Sequence, residues 1–443
     1  MDENLVIIII GVLFLIFLAL GQNIASLLLF FGILGVFLLD GWGTIAGFME
    51  TGTFYRVASY TLTTIPLYII MSQFILHSGL IEDMFKIINK YTKGRSGILG
   101  TLTIIIGGLM GAVSGSGAAT AATLGQVATP QLTKYGYPPY LAAAIAASGG
   151  SLAGLIPPSI ILILYGSITQ TSIGQLFMGA VFPGIILVLV FILYTHYLLL
   201  KHRKSLNKDG INSSKNVNPE EVEELGLGRT ILVLGVGLVV FSVIFVGIYS
   251  GVFTPNEAGG IAAAIAFITA LIFRKVNREF IRVTFSETIK TSGMILMIMI
   301  GAQIFSKFIS LSLIPRKLIT LLEPILDMPI LIILILAIFY FILFMFLETA
   351  AAIVMSVPIT FPVAMAINLD PIWFGVFICI ISVLGLLTPP VGVSTFMVAS
   401  VAKLKAGSLF RITTKYAIVG MVVAGILITI FPEIITWLPS KME

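Results

Sequence analysis

The stretches Leu5–Leu20, Ile24–Leu39, Phe177–Leu200, Ile231–Tyr249, Ile330–Leu347 and Tyr416–Phe431 are almost wholly apolar. A bilayer crossing takes about 20 such residues as helix, and inside lipid a segment must satisfy its own backbone donors and acceptors. These runs restrict the chain to an all-α integral membrane protein. Composition agrees: 58% of the 443 residues are hydrophobic and 10% are charged, against about 25% charged in soluble domains. The mean hydropathy is +1.10. Asp2 and Glu3 stand where a secretory signal begins with basic residues, and no small-residue cleavage site follows, so no signal peptide is expected.

The net charge of +5 sits in clusters between apolar stretches and gives no nucleic-acid signal. Lys86, Lys90, Lys93 and Arg95 form one cluster, Lys201–Lys215 a second, and Arg274, Lys275, Arg278 and Arg282 a third. Lys403, Lys405, Arg411 and Lys415 are a weaker fourth. Basic residues accumulate in cytoplasmic loops. Three crossings, at 5–20, 24–39 and 57–78, precede the first cluster, which puts the N-terminus outside. Lys307, Arg316 and Lys317 fall on the outer side by this count, against the bias. The polar stretch 201–228 reads as a linker between two halves. Ile81, Met84, Phe85, Ile88 and Tyr91 repeat at helical spacing with Lys86 and Lys90 off the stripe, which suits an interfacial helix or a short loop helix. Cys379 is the single cysteine; it lies in an apolar run, and packing is its expected role.

A shift of 232 residues brings four prolines into register: Pro130 onto Pro362, Pro139 onto Pro371, Pro157 onto Pro389 and Pro158 onto Pro390 (130 + 232 = 362 and so on). The chain has only 19 prolines, so four coincidences within 29 residues point to an internal repeat. The stripe at 81–91 lands on 313–323, where Leu313, Ile314, Leu318, Leu321 and Leu322 suggest another. The first half enters the membrane from outside and the second from the cytoplasm at about 230, which makes the repeat inverted.

Each copy contains two half-length apolar stretches around a polar break. Ile98–Val113 leads to Ser114-Gly115-Ser116-Gly117 and on to Ala118–Thr129; Ile330–Leu347 leads to Glu348-Thr349 and on to Ala350–Phe361. The expected element is a re-entrant hairpin with its tip near mid-depth. A discontinuous helix follows each hairpin: Tyr140–Ile156 runs into Pro157-Pro158-Ser159, and Ile372–Leu387 into Thr388-Pro389-Pro390. Proline removes a donor and disrupts the bond to the carbonyl four residues earlier. The carbonyls of Ala153 and Gly154, and of Gly385 and Leu386, are therefore expected to be free, which lipid tolerates only where backbone lines a cavity or binds something.

Carbonyls with nearby hydroxyls suit a hard cation such as sodium, and half-helix N-termini suit a carboxylate. The expected sodium ligands are Ser114, Gly115, Ser116, Ala153, Gly154 and Pro157 in one copy, and Glu348, Thr349, Gly385, Leu386, Thr388 and Pro389 in the other. The expected solute contacts are Ser116, Gly117 and Ser159, with Thr349, Gly392 and Ser394. No Lys or Arg lies within either break. A lone double proline can be a plain kink, and the small residues of 107–117 also suit close helix packing; two breaks at one offset, each behind a hairpin, point beyond both. Glu348 is an ionisable group at membrane depth, hence a functional candidate or a water-facing tip. His77, His196 and His202 lie near membrane ends and read as interfacial. No His-Glu-x-x-His, Gly-x-Ser-x-Gly, facing aspartate pair or phosphate-binding loop is present, so neither an enzyme nor an ATP-driven pump is expected.

The stretches GLMGAVSGSGAATAATLG (Gly108–Gly125), LIPPSIILILY (Leu155–Tyr165), YSGVFTPNEAGG (Tyr249–Gly260), DPIWFG (Asp370–Gly375) and GLLTPPVGV (Gly385–Val393) stand in an order and spacing that resembles the large membrane subunit, the DctM-type permease, of tripartite ATP-independent periplasmic (TRAP) transporters. Glu348 stands where that family usually has aspartate, and Ile381 where asparagine is common. The resemblance implies an elevator-type sodium symporter in the bacterial inner membrane that imports an organic acid. It also implies a periplasmic solute-binding protein and a separate small four-helix membrane subunit as partners, within membrane lipid. On that reading 1–95 and 229–327 are scaffold, 96–176 and 328–408 the two transport-domain halves, 177–228 a connecting span and linker, and 409–443 the final span. A stand-alone sodium–anion symporter or a passive channel are the competing readings.

Overall fold

The structure, a computed structural model, describes residues 3–47, 58–92, 96–208 and 225–442, with the side chains of 88–92, 96–97, 112–114 and 203–208 outside that description. Lys93, Arg95, Lys215 and most of the expected linker therefore lie outside the described residues. The first half comprises α1 (Glu3–Ala19), α2 (Ile24–Asp40), α3 (Thr64–His77), α4 (Leu80–Thr92), α5 (Ser96–Ser114), α6 (Gly117–Lys134), α7 (Pro139–Ser151), α8 (Ile160–Thr169), α9 (Ile173–Gly179) and α10 (Val181–Lys208). The second comprises α11 (Leu227–Tyr249), α12 (Pro255–Ile272), α13 (Arg278–Leu311), α14 (Ile314–Leu322), α15 (Pro329–Phe346), α16 (Thr349–Ala366), α17 (Pro371–Gly385), α18 (Val393–Val401) and α19 (Ala406–Ile430). Among the described residues no strand occurs, and seven helical stretches are long and apolar enough to cross a bilayer. Helices α1 and α2, at 17 residues each, are slightly shorter.

The 232-residue offset holds in three dimensions. Helix α6 maps onto α16 at both ends (117 + 232 = 349, 134 + 232 = 366), and α7 onto α17 at its start (139 + 232 = 371). Gly136 and Asn368, again 232 apart, both turn the chain left-handed after those helices. The Pro157–Pro158 and Pro389–Pro390 peptides are both cis. Packing is reciprocal between the halves: α2 lies on α13 and α12 on α3, while α6 lies on α18 and α16 on α8. The centre belongs to the broken helices. Every residue of α7 from Leu141 to Ser151, and of α17 from Trp373 to Gly385, is buried.

Outside that centre, apolar surface faces outward. Leu227, Ile231, Leu234 and Leu238 on α11 are exposed, as are Ile330, Leu334 and Ile338 on α15. Such faces are stable only against lipid or another apolar chain. On α4 the expected amphipathic stripe is seated, with Ile81 and Phe85 buried while Glu82 is exposed; on α14 Ile314, Leu318 and Leu322 are half-buried, and Leu313 at its cap and Leu321 are exposed. Each helix is tied to the start of the other half's first helix. Arg229 Nε donates to Asp83 Oδ2 at 2.6 Å, and the guanidinium lies 4.8 Å from the Phe273 ring centroid. Lys317 Nζ reaches Glu3 at 3.5 Å and Asn4 at 3.0 Å.

The stretch YSGVFTPNEAGG is a joint. Thr254 and Glu257 close a capping box at the start of α12. The Asn256 amide donates to the Tyr60 carbonyl at 2.5 Å and to Thr63 at 2.8 Å, and its side-chain carbonyl accepts from Thr64. These bonds satisfy a buried amide and fix α12 against α3.

Candidate functional site

The first site assembles at the gap between α5 and α6. Ser114 ends α5, and its side chain lies outside the described residues. Gly115 follows with φ +60°, a conformation that L side chains rarely adopt, and a Cβ there would stand 2.9 Å from the Pro158 carbonyl oxygen. Ser116 caps α6, its Oγ accepting from the Ala119 amide at 3.4 Å. The hairpin tip thus touches the first double proline directly. A Cβ on Gly117 would meet the Ser151 carbonyl at 3.1 Å and Leu386 Cδ1 at 3.0 Å, so this one position lies against both broken helices. Helix α5 presses on the break itself, since a Cβ at Gly111 would come within 2.6 Å of Ala153 Cα.

At the break, Ser159 caps α8 and its Oγ donates to the Gly154 carbonyl at 2.5 Å. Cys379 Sγ lies 3.7 Å from the same carbonyl and 4.0 Å from Ser159 Oγ. A residue read as plain packing therefore joins the second half's broken helix to the first half's break.

The second site repeats the plan with different chemistry. Glu348 occupies the position of Ser116 (116 + 232 = 348) and caps α16, its carboxylate accepting from the Ala351 amide at 3.2 Å. Thr349 beside it is buried, and Glu348 is exposed. Thr388 donates to the Gly385 carbonyl through Oγ1 at 2.8 Å and through its amide at 3.0 Å. The Leu386 carbonyl accepts from the Thr395 amide at 3.4 Å. Beyond Pro389 and Pro390, the amides of Val391 and Gly392 donate to the Met345 carbonyl at 3.2 and 3.3 Å, which latches the break onto the end of α15. Ser394 is fully buried, and its Oγ has no partner among the described residues.

The expectation of free carbonyls is corrected for Gly154, Gly385 and Leu386. Each accepts a hydrogen bond within the chain: Ser159 and Thr395, past the prolines, fold back onto Gly154 and Leu386, and Thr388, just before them, closes onto Gly385. A carbonyl oxygen has two lone pairs; the Gly385 carbonyl meets two donors from Thr388 and the Gly154 carbonyl meets Ser159 and Cys379, while the Leu386 carbonyl meets the Thr395 amide. Sequence spacing did not point to Met345, whose carbonyl takes part by backbone alone, or to Cys379. Its offset partner Ala147 (379 − 232 = 147) bears no polar atom, so the repeat gave no signal there either.

A cavity of about 510 Å³ opens beside the first tip. Ser116 and Thr120 of α6 face it on one side; Ser72 and Gln73 of α3, Met84 of α4 and Val236 of α11 line the other. The arrangement is a pair of polar backbone breaks, with side chains capping α6, α8 and α16, and the cleft lies beside the first of them.

The sequence profile of the family described as "Tripartite ATP-independent periplasmic transporter, DctM component" matches residues 5–434. The chain belongs to the DctM family. It is a TRAP transporter large permease, a multi-pass membrane transport subunit and not an enzyme. Large permeases of this family work with a small membrane subunit and a periplasmic binding protein. Among curated relatives, the chain is 28% identical to the C4-dicarboxylate TRAP transporter large permease protein DctM of Pseudomonas aeruginosa, over 86% of each chain. It is 25% identical to the sialic acid TRAP transporter large permease protein SiaM of Vibrio cholerae, over 87% of each. Among solved structures, the YdaH transporter of Alcanivorax borkumensis superposes with a TM-score of 0.64 at 13% identity, covering 92% of this chain and 99% of that one. That likeness is one of fold.

Proposed function

We propose that this DctM-family chain is the large subunit of a sodium-driven importer of an organic acid, handed over by a periplasmic binding protein. The observation that carries the reading is the back-to-back pairing of two broken helices, with Gly117 lying against both Ser151 and Leu386. Backbone oxygens and hydroxyls gathered around Gly154, Ser159, Gly385 and Thr388 offer hard, oxygen-rich coordination. The donor set suits sodium, which favours oxygen over nitrogen or sulfur as other hard cations do. Sodium would be held by Ser114, Gly115, Ser116, Ala153, Gly154 and the Pro157 region in one copy. In the other it would be held by Glu348, Thr349, Gly385, Leu386, Thr388 and the Pro389 region.

The solute carboxylate would meet the N-termini of α6, α8, α16 and α18 through Ser116, Gly117, Ser159, Thr349, Gly392 and Ser394. The relatives' named solutes, C4-dicarboxylate and sialic acid, are organic acids, which supports this class. The hairpins α5–α6 and α15–α16 would be re-entrant from opposite faces, with the N-terminus periplasmic. Residues 96–176 and 328–408 would move as one transport domain past a scaffold of 1–95 and 229–327, braced by a separate four-helix subunit.

The test is uptake into proteoliposomes that hold this chain, its small subunit and its binding protein. Uptake should collapse when sodium is replaced by potassium at equal ionic strength. Uptake indifferent to that exchange would remove sodium from the mechanism.

A further inference from the structure

We propose that the recess between the start of α11 and the end of α12 binds the phosphodiester headgroup of an anionic phospholipid. The recess holds about 370 Å³ and is lined by Gly228, Arg229, Leu232, Ile272, Phe273 and Arg274. Two arginines face one small volume.

Arg229 is oriented rather than free. Its Nε is engaged by Asp83, whose side chain is 5% exposed, and its guanidinium lies over the Phe273 ring. A guanidinium has five donors in a fixed fork, so a carboxylate on one edge and a ring on one face leave the terminal nitrogens to meet an anion. Phosphate oxygens match that fork in pairs. Arg274 is exposed and sits at φ +55°, where glycine would be free of strain. Its amide donates to the Leu271 carbonyl and that of Lys275 to the Ala270 carbonyl, a closing turn that fixes where Arg274 leaves α12.

The apolar surroundings choose the source of the phosphate. On the recess face Leu232 of α11 is half-buried and Val239, two turns on, is exposed, and Ile272 and Ile268 of α12 are exposed, so apolar surface leads away from the recess along both helices. A headgroup between the arginines would lay its acyl chains on that strip, which a free phosphate would leave bare. Through Asp83 the same arginine holds the amphipathic α4, so the lipid would sit at the joint between an arm helix and the second half.

The test is native mass spectrometry of the purified chain titrated with phosphatidylglycerol or phosphatidylcholine in detergent. Phosphatidylglycerol should be retained preferentially, and Arg274→Ala should weaken that retention about fivefold, the effect of one basic residue near a membrane surface. Arg229→Lys, which keeps a cation for Asp83 but loses the planar fork, should weaken it without unfolding the protein. Equal retention of both lipids, or an Arg274→Ala variant that binds as wild type, overturns the assignment. Displacement of the lipid by millimolar inorganic phosphate would mark a free-anion site and overturns it too. So would a lipid preference that emerges only when Glu220, Glu221, Glu223 and Glu224 are changed to Gln, since that would give the recess to the chain's own acidic stretch.

Discussion

At Ser116 and Glu348 one backbone task, accepting an amide three residues on, is done by a hydroxyl in one copy and a carboxylate in the other. Losing such a cap costs about 1 kcal/mol. Ser116→Ala and Glu348→Ala should therefore each lower the thermal unfolding midpoint in detergent, whereas Glu348→Gln keeps an acceptor and should unfold near wild type. Transport should rank the same way: Glu348→Gln should do less damage than Pro157→Ala with Pro158→Ala, since the latter redraws the backbone around Gly154. The opposite order in a proteoliposome assay would make Glu348 a principal ligand or proton carrier. Ser159→Ala should leave the Gly154 carbonyl without its 2.5 Å partner, a loss of about 1 kcal/mol. Prolines, glycines and hydroxyls announced these positions because their backbone effects are local. Ser394 and Cys379 matter through burial and through neighbours from distant segments, which no local pattern encodes.

Among elements, the amphipathic pair α4 and α14 shows how unequal two similar ties can be. Asp83 is 5% exposed, so removing Arg229 strands a carboxylate away from water, while Glu3 is 45% exposed and can be hydrated without Lys317. Arg229 itself is 42% exposed, which reduces the expected cost of Arg229→Met to about 2 kcal/mol, against about 0–1 kcal/mol for Lys317→Met. Thermal unfolding of the two variants side by side checks this, and equal shifts would contradict the burial argument. The helical stripes were legible from apolar spacing alone. Their anchors were not, since Asp83 and Arg229 are 146 residues apart and nothing in either local pattern names the other. The stretch YSGVFTPNEAGG stood out as a motif, yet its Asn256 works as a joint to residues 60–64, a role visible only once α12 and α3 are packed together.

For the molecule as a whole, packing between the halves is added to packing within each, such as α6 on α7 and α15 on α17. Helix α6 needs α18, α16 needs α8, α2 needs α13 and α12 needs α3. Cutting the chain within 209–224 and expressing both parts together should yield a complex that co-purifies through a tag on either part. Each part alone should aggregate, and a soluble, monodisperse single half in detergent would refute the dependence. The all-helical membrane class and the repeat were readable because hydropathy and proline spacing survive sequence divergence. The reciprocal pairing was not, because an offset says which helices correspond and nothing about which ones touch. A constant spacing also turns one polypeptide into two homologous texts bound in a single volume. Within 117–169 each residue has a comparator in the same bilayer at the same temperature, and the places where the texts disagree, as Ser159 does with Val391 (159 + 232 = 391), mark where the two copies differ in chemistry. Exchanging such pairs between the halves would reveal which of these differences each copy's task depends on.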